Sequence, residues 1–417
     1  MLNKLTKGMI ATIGAGAMSL GLAAGVEATE PYSPFTDVSK DSAAYEPIKN
    51  VFHKEIMSGY EIEQADHTFK YEMRPYQNVT RAQAAKMMAI GLGNIHATQD
   101  ISAFPDIDET YWAHDYITLL EKEGVVSGDR EGNFNPVQSL NRAQIAKMLV
   151  EGFDLPFDEN DTDTGFNDVD ADDWEAPYVK ALVDAGLTTG TTPDTFSSYQ
   201  SVTRYQLAAF IDRFYKNFEL DKDLAFVQVR GTFKEMQDVF YHYVNQTGPL
   251  PLEDPLPYES FQDEMRETIT MNIEPDVKEN FINQCRACDG INYGASVDYK
   301  VNYELIENTK DRITIQYVDL GNALKLVTDY TISIVNEDGK WKLDQYEGEH
   351  VERDSEIFTL SVEEALNYVE SINRKYSMLK VIRVDLIEQN NDLYTIRIVT
   401  PDENYDVVFD RQVGFVN

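Results

Sequence analysis

The chain has 417 residues, 42% of them hydrophobic, with 24 Tyr and 20 Phe, which is ample for packed cores and excludes wholesale disorder. It is too long for one ordinary core and points to several domains. Its formal charge of −36 excludes nucleic acid and anionic lipid as partners, so any anionic ligand must be captured locally.

The amino terminus carries Lys4 and Lys7, an apolar Gly/Ala-rich run, and Val26-Glu27-Ala28 as a small-residue cleavage site. Residues 1–28 therefore read as an export signal peptide. The run is short and glycine-rich beside the ~20 residues needed to span a bilayer. No later segment is apolar enough to cross one, so the mature protein is expected outside the cytoplasmic membrane.

Three self-similar units follow, at 33–95, 102–155 and 164–217. Each opens with Phe-x-Asp-Val/Ile: "FTDV" at Phe35, "FPDI" at Phe104 and "FNDV" at Phe166. A short helix marked by Ile48, Ile117 or Val179 comes next, and eleven residues later stands Gly59, Gly128 or Gly190, read as a helix stop or a turn with positive φ. A loop with Phe69, Phe134 or Phe196 leads into the second helix. Thr80, Asn141 and Thr203 are N-cap residues, and Gln83, Gln144 and Gln206 three places on give the reciprocal capping-box spacing. Behind each cap runs an apolar stripe at i, i+3 and i+4, such as Ala84, Met87 and Met88. A lone helical hairpin cannot bury its stripe, so three helix-loop-helix units are expected to close into an all-α bundle, arginine helices central, with grooves between units.

Arg81, Arg142 and Arg204, 61 and 62 residues apart, occupy the first turn of these second helices. Arginine there opposes the helix dipole, at a cost of about 0.3–1 kcal/mol. Its recurrence asks for a compensating partner. An anion would satisfy both the guanidinium and the free first-turn N–H groups; alternatively each Arg pairs with Asp37, Asp106 or Asp168 of a neighbouring Phe-x-Asp-Val as a structural clamp. Trp112 and Trp174, five residues before Ile117 and Val179, either cover the C–H face of a sugar or fill the core.

These units resemble S-layer homology (SLH) repeats, whose pattern runs Phe-x-Asp-Val, a Trp, a Gly, a Phe-x-Pro loop and Thr-Arg-Ala-Glu. Phe134-Asn135-Pro136 and Thr80-Arg81-Ala82-Gln83 stand where that pattern requires, and the resemblance covers about residues 33 to 216. It implies a pseudo-threefold spindle that binds secondary cell-wall polysaccharide, linked to peptidoglycan and often ending in a pyruvylated amino sugar. The pyruvate carboxylate would then be the anion for Arg81, Arg142 and Arg204. Gln83, Gln144 and Gln206 replace the family's Glu, removing a charge that would repel an anion. Repeat one has Ala43 in place of a Trp and a gap of 22 residues from Gly59 to Arg81, against 14 in the other two; in repeat three, Tyr205 follows the arginine where a small residue is usual.

From about residue 222 the repeat is gone. "GTFKEMQDVFYHYVNQ" and "YESFQDEMRETITMNI" read as amphipathic helices around a proline-rich stretch, and period-two strands follow, with Asn336 to Gly339 as a hairpin turn. Residues 222–352 are expected to form an α+β domain with an antiparallel sheet, faintly resembling the cone-shaped nuclear-transport-factor-like fold. Ser361 and Glu364 form a capping box that opens a helix before three strands, so 355–417 reads as a small αβββ module faintly like PepSY units, or as the completion of the preceding sheet.

No catalytic set is legible. Cys285 and Cys288 have redox-dithiol spacing without the strand-helix context and read as a disulfide or an inert pair. His242 and His350 form no ligand motif, and the acidic run "FDENDTDTGFNDVDADDW" fails the spacing of a calcium loop. No cofactor or metal is expected. The expectation is an exported, non-enzymatic protein held to the wall polysaccharide through Arg81, Arg142, Arg204, Trp112, Trp174, the three Gln and the three Gly. The alternatives are a wall-tethered enzyme with its catalytic part in 222–417 and an S-layer lattice subunit.

Overall fold

The computed structural model describes residues 32–64, 69–93, 101–246, 256–284, 303–319, 328–350, 360–376, 381, 383–400, 403–410 and 414–415. The signal segment, Cys285 and Cys288 lie outside them. The protein is a mix of helices and three antiparallel sheets.

Each repeat pairs a short first helix with an arginine helix: α1 (Tyr45–His53) with α2 (Arg81–Gly91), α3 (His114–Lys122) with α4 (Arg142–Gly152), and α5 (Ala176–Asp184) with α6 (Arg204–Asn217). The closest packing runs between repeats: α2 lies on α3, α4 on α5, and α6 returns to α1, closing the ring. Capping boxes start all three arginine helices. Thr80, Asn141 and Thr203 accept from the N–H of Gln83, Gln144 and Gln206, and each Gln Oε1 accepts from the cap N–H in return. The loops before these helices meet at the pseudo-threefold axis in a cycle of backbone bonds. Val79 N–H donates to Val202 O (2.9 Å), Val202 N–H to Leu140 O (2.9 Å), and Leu140 N–H to Val79 O (3.4 Å).

The repeats are not all helical. In repeat one the extra residues form a hairpin, β1 (Tyr60–Glu63) on β2 (Phe69–Glu72), with Tyr60 opposite Glu72. The inserted chain cannot fit the short loop of its counterparts, and pairing its strands satisfies backbone groups that a longer loop would leave to solvent. Phe69 thereby opens β2. The residue that matches Phe134 and Phe196 is Met73, because its N–H and C=O make the same bonds as theirs.

The predicted helix stops are also displaced. The first helices end one turn earlier, at Lys54, Glu123 and Ala185, and the left-handed residues after them are Glu55 (φ 59°), Gly124 (φ 75°) and Gly186 (φ 67°). Of the three expected glycines only Gly190 has positive φ (84°). Gly59 and Gly128 serve close approach instead: a Cβ on Gly59 would lie 2.6 Å from Met73 Sδ.

Helix α7 (Lys222–Gln246) leaves repeat three and crosses a meander of β3 (Tyr303–Asn308), β4 (Arg312–Asp319), β5 (Thr328–Glu337) and β6 (Lys340–His350), in that order. Asp338 (φ 54°) and Gly339 (φ 85°) make the two-residue turn that brings Glu337 opposite Lys340. α8 (Gln262–Arg266) and α9 (Glu274–Gln284) complete this domain. It does not hang from a linker: one hydrophobic core runs from Phe35 in repeat one through Phe226 and Phe233 of α7 to Leu343 of β6. The last unit has its own core around Tyr368, Tyr394, Ile396 and Phe409. There α10 (Val362–Tyr376) packs on a separate sheet, ordered β10 (Gly414–Phe415), β9 (Asn404–Asp410), β8 (Leu393–Val399) and β7 (Arg383–Asn390). Among the described residues it has four strands where three were expected, and none of them pairs with the preceding sheet.

Candidate functional site

The first-turn N–H groups that the sequence offers to an anion are already occupied. Arg81 and Ala82 N–H donate to Gln138 and Pro136 O, Arg142 and Ala143 N–H to Gln200 and Ser198 O, and Arg204 and Tyr205 N–H to Gln77 and Pro75 O. Each arginine helix thus docks its amino end on the loop of the next repeat. Closure of the ring uses the donors that a phosphate or carboxylate would need.

The guanidinium groups are placed by the same loops. Arg81 Nε donates to Phe134 O (2.5 Å), Arg142 Nε to Phe196 O (2.6 Å) and Arg204 Nε to Met73 O (2.8 Å). Arg81 Nη2 reaches Ser127 O (2.9 Å) and Arg204 Nη2 reaches Ser58 O (2.7 Å). Arg81 and Arg142 stack over the Phe134 and Phe196 rings at 4.4 and 4.5 Å. The expected Asp clamp exists, but it acts on the loop rather than on the arginine. Asp37 accepts from Met73 and Arg74 N–H, Asp106 from Phe134 and Asn135 N–H, and Asp168 from Phe196 and Ser197 N–H.

No carboxylate lies within ion-pairing distance of Arg81, Arg142 or Arg204 among the described residues. Burial pushes all three pKa values down, Arg142 to about 10 with Arg213 adding to the effect, and all remain cations at neutral pH. Among the described residues, none of their nitrogens is both fully buried and unbonded.

Two equivalent grooves result. One, of about 450 Å³, is lined by Arg81, Gly128, Gln144, Lys147 and Trp174. The other, of about 340 Å³, is lined by Arg204, Gly59, Gln83, Lys86 and Trp112. Each therefore joins an arginine of one repeat, the glycine loop and helix of the next, and the tryptophan of the one after. Trp112 and Trp174 are each 50% exposed, so neither is a core residue. Since Gln83 and Gln144 spend Oε1 on the cap, their Nε2 donors remain for the groove. The third set, Arg142, Gly190 and Gln206, has Ala43 at the tryptophan position and Ala209 at the lysine position, while Arg213 donates to Leu187 O nearby.

Lys86 and Lys147 were missed from sequence, although the shared spacing in "RAQAAK" and "RAQIAK" could have shown them. Burial lowers the Lys86 pKa. A further cavity of about 370 Å³, lined by Lys49, Lys54, Asp212, Glu235 and Trp341, lies between repeats and α+β domain. Its charges are mostly paired, as in Lys49–Glu235 (2.8 Å) and Lys216–Asp212 (2.7 Å). Among the described residues no cluster of His, Cys, Asp and Glu is arranged to hold a metal, and no helix is long and apolar enough to cross a membrane.

The S-layer homology domain family matches three times, at residues 34–85, 103–146 and 165–208. An uncharacterized cell wall amidase of Bacillus anthracis is 35% identical over 49% of this chain and 36% of its own length. An S-layer protein of Bacillus thuringiensis subsp. finitimus is 31% identical over 49% of this chain and 24% of its own. An endoglucanase of Bacillus sp. (strain KSM-635) is 32% identical over 30% of this chain and 13% of its own. The chain thus spans only a minor part of each relative. Residues 34–208 constitute three S-layer homology repeats, and the chain is a secreted protein of the cell surface.

Proposed function

We propose that the repeats anchor the chain noncovalently to the cell wall by binding secondary cell-wall polysaccharide, displaying the carboxyl half at the surface. The observation that carries this reading is the pairing, in two grooves, of an arginine without a carboxylate partner, part-buried at Arg81 and buried at Arg204, with a half-exposed tryptophan. The guanidinium and the lysine five residues along the next helix take an acidic group, which a pyruvylated terminal sugar would supply. The indole covers the sugar's C–H face, and the Gln amide donates to an oxygen. The grooves at Arg81 and Arg204 are the working sites, and the Arg142 set is the weaker one.

The test is cosedimentation of the chain with Gram-positive sacculi before and after acid extraction of the non-peptidoglycan polymer. Binding that is lost on extraction, and lost in a Trp112→Ala, Trp174→Ala double variant that melts normally, is expected. Equal sedimentation with extracted sacculi would move the ligand to peptidoglycan.

A second reading, a wall-tethered enzyme, draws on the two relatives named as an amidase and an endoglucanase. Hydrolysis of sacculi by the purified chain, abolished by changes confined to 222–417, would establish it. Crystalline sheets formed by the purified chain would instead favour a lattice subunit, the role named for other relatives.

A further inference from the structure

The groove that holds Arg204 does not end at the repeats. A second cavity of about 370 Å³ shares Met57, Ser58, Gly59 and Lys86 with it and is bounded on the far side by Arg230 and Lys234 of α7. Aromatic surface from Phe52, Tyr71 and Tyr116 lies along this extension. Its outer wall is fixed to the repeats. Arg230 Nη2 donates to Lys54 O (2.6 Å), Arg230 Nη1 lies 3.5 Å from Glu55, and α7 passes so close that a Cβ on Gly231 would meet Lys54 Cγ at 2.6 Å.

Lys86 stands where the two cavities join. Its Nζ donates to Ser58 Oγ (2.7 Å) and has no carboxylate partner among the described residues. The counterpart in the other groove is neutralised, since Lys147 Nζ lies 3.6 Å from Glu151. One turn after Lys86 stands Ile90 in place of that glutamate. Across the extension Lys234 is 34% exposed and 3.9 Å from Asp238, at the outer edge of ion pairing. In a chain of charge −36, two weakly compensated lysines facing one aromatic-lined trough are the local capture that an anionic polymer requires.

We propose that the polymer seated in the Arg204 groove runs on over Lys86 into the trough against α7, so that the α+β half supplies part of the polysaccharide site. Lys234 then contacts an anionic or hydroxyl-rich sugar inward of the terminal one. Glu55 and Glu61 on the same trough accept from sugar hydroxyls. The Arg204 groove thereby reads more than one sugar. This extension rests on the reading of the grooves as polysaccharide sites.

Titration calorimetry with the full chain separates the two. The probes are acid-extracted wall polysaccharide and the same material cut to its terminal residue. Lys234→Met is expected to weaken binding of the long probe about tenfold, the loss of one desolvated charge contact, and to leave the terminal residue unaffected. Lys234→Arg should restore the long probe. Trp112→Ala should weaken both. Equal affinity of Lys234→Met and unaltered chain for the long probe would overturn the extension while leaving the grooves standing. Failure of the unaltered chain to bind either probe would overturn the polysaccharide reading and the extension with it.

Discussion

Asp106 and Arg81, from adjacent repeats, grip the same residue from opposite sides: Phe134 N–H donates to Asp106 Oδ1 at 2.7 Å, and Phe134 O accepts from Arg81 Nε at 2.5 Å. Phe196 stands likewise between Asp168 and Arg142, and Met73 between Asp37 and Arg204. The residue after each of the three, Arg74, Asn135 or Ser197, is left-handed at φ 50°, 58° and 63°, a conformation that costs a non-glycine residue about 1–2 kcal/mol. The second Asp oxygen accepts its N–H and offsets that cost. The arginine is thereby a tie between repeats, besides being the donor proposed for the ligand.

Asp106→Ala should therefore destabilise the repeats by about 2 kcal/mol, the net worth of two charge-assisted bonds in a partly exposed setting. Asp106→Asn, which keeps one acceptor oxygen, should lose about half as much. Urea unfolding reads both, and an unchanged midpoint for Asp106→Ala would remove the clamp from the account.

The repeats were legible in sequence because their signals are local. A capping box needs only Thr80 and Gln83, and an amphipathic stripe needs only one helix. Docking between repeats was not legible. That Gln138 and Pro136 take the first-turn donors of Arg81 and Ala82 depends on which loop closes the ring, and no spacing along one unit encodes it. The hairpin in repeat one was hidden for a related reason: Tyr60 and Ile62 are partly exposed on a four-residue strand, too short to show an alternating pattern. Met73 is hidden in the sequence because its counterparts are phenylalanines, whereas the position demands only a buried apolar side chain on a doubly bonded backbone. Lys86 and Lys147 were in plain view but look like solvated helix residues until the groove exists.

The grooves differ in a way that binding can read. Trp174→Ala should leave the melting temperature within a degree or so, since a half-exposed side chain contributes little to the core, and should reduce affinity for extracted wall polysaccharide. Ala43 is exposed at the corresponding position of the Arg142 groove. Ala43→Trp should raise the number of bound terminal residues per chain in calorimetry; an unchanged stoichiometry would show that the missing lysine at Ala209, not the indole, limits that groove.

Gly190 and Gly132 share a φ of 84° yet should respond differently to alanine. A Cβ at Gly132 meets nothing within 4 Å, so the cost is the left-handed strain alone, about 1 kcal/mol. At Gly190 the same atom would lie 2.4 Å from Thr192 O and 2.5 Å from Thr195 O. Gly190→Ala must also force the Thr192–Thr195 turn open, and a loss of about 3 kcal/mol is expected. Thermal melting of the two variants side by side isolates the crowding, and equal losses would refute it.

Lys54 provides a test by pH. It is 7% exposed, its ammonium lies 5.2 Å from the Tyr215 ring, and burial lowers its pKa from the ordinary 10.5 to about 8, against the opposing pull of Asp212 and Glu235. The folded chain therefore releases this proton near pH 8, while the unfolded chain holds it until about 10.5. Between those limits the unfolded state binds more protons, so stability rises with pH. The destabilisation, about 3 kcal/mol on this depression, is fully present below pH 8 and relieved as pH climbs toward 10.5. Lys54→Met fills the same space beside Gly231 without the charge. The variant should be the more stable of the two at pH 7, and its advantage should shrink by pH 10. Tyr215, whose pKa burial raises, is common to both proteins, so its own contribution cancels in the difference. A stability gap between variant and unaltered chain that stays constant from pH 7 to 10 would mean that Lys54 keeps its proton in the folded protein.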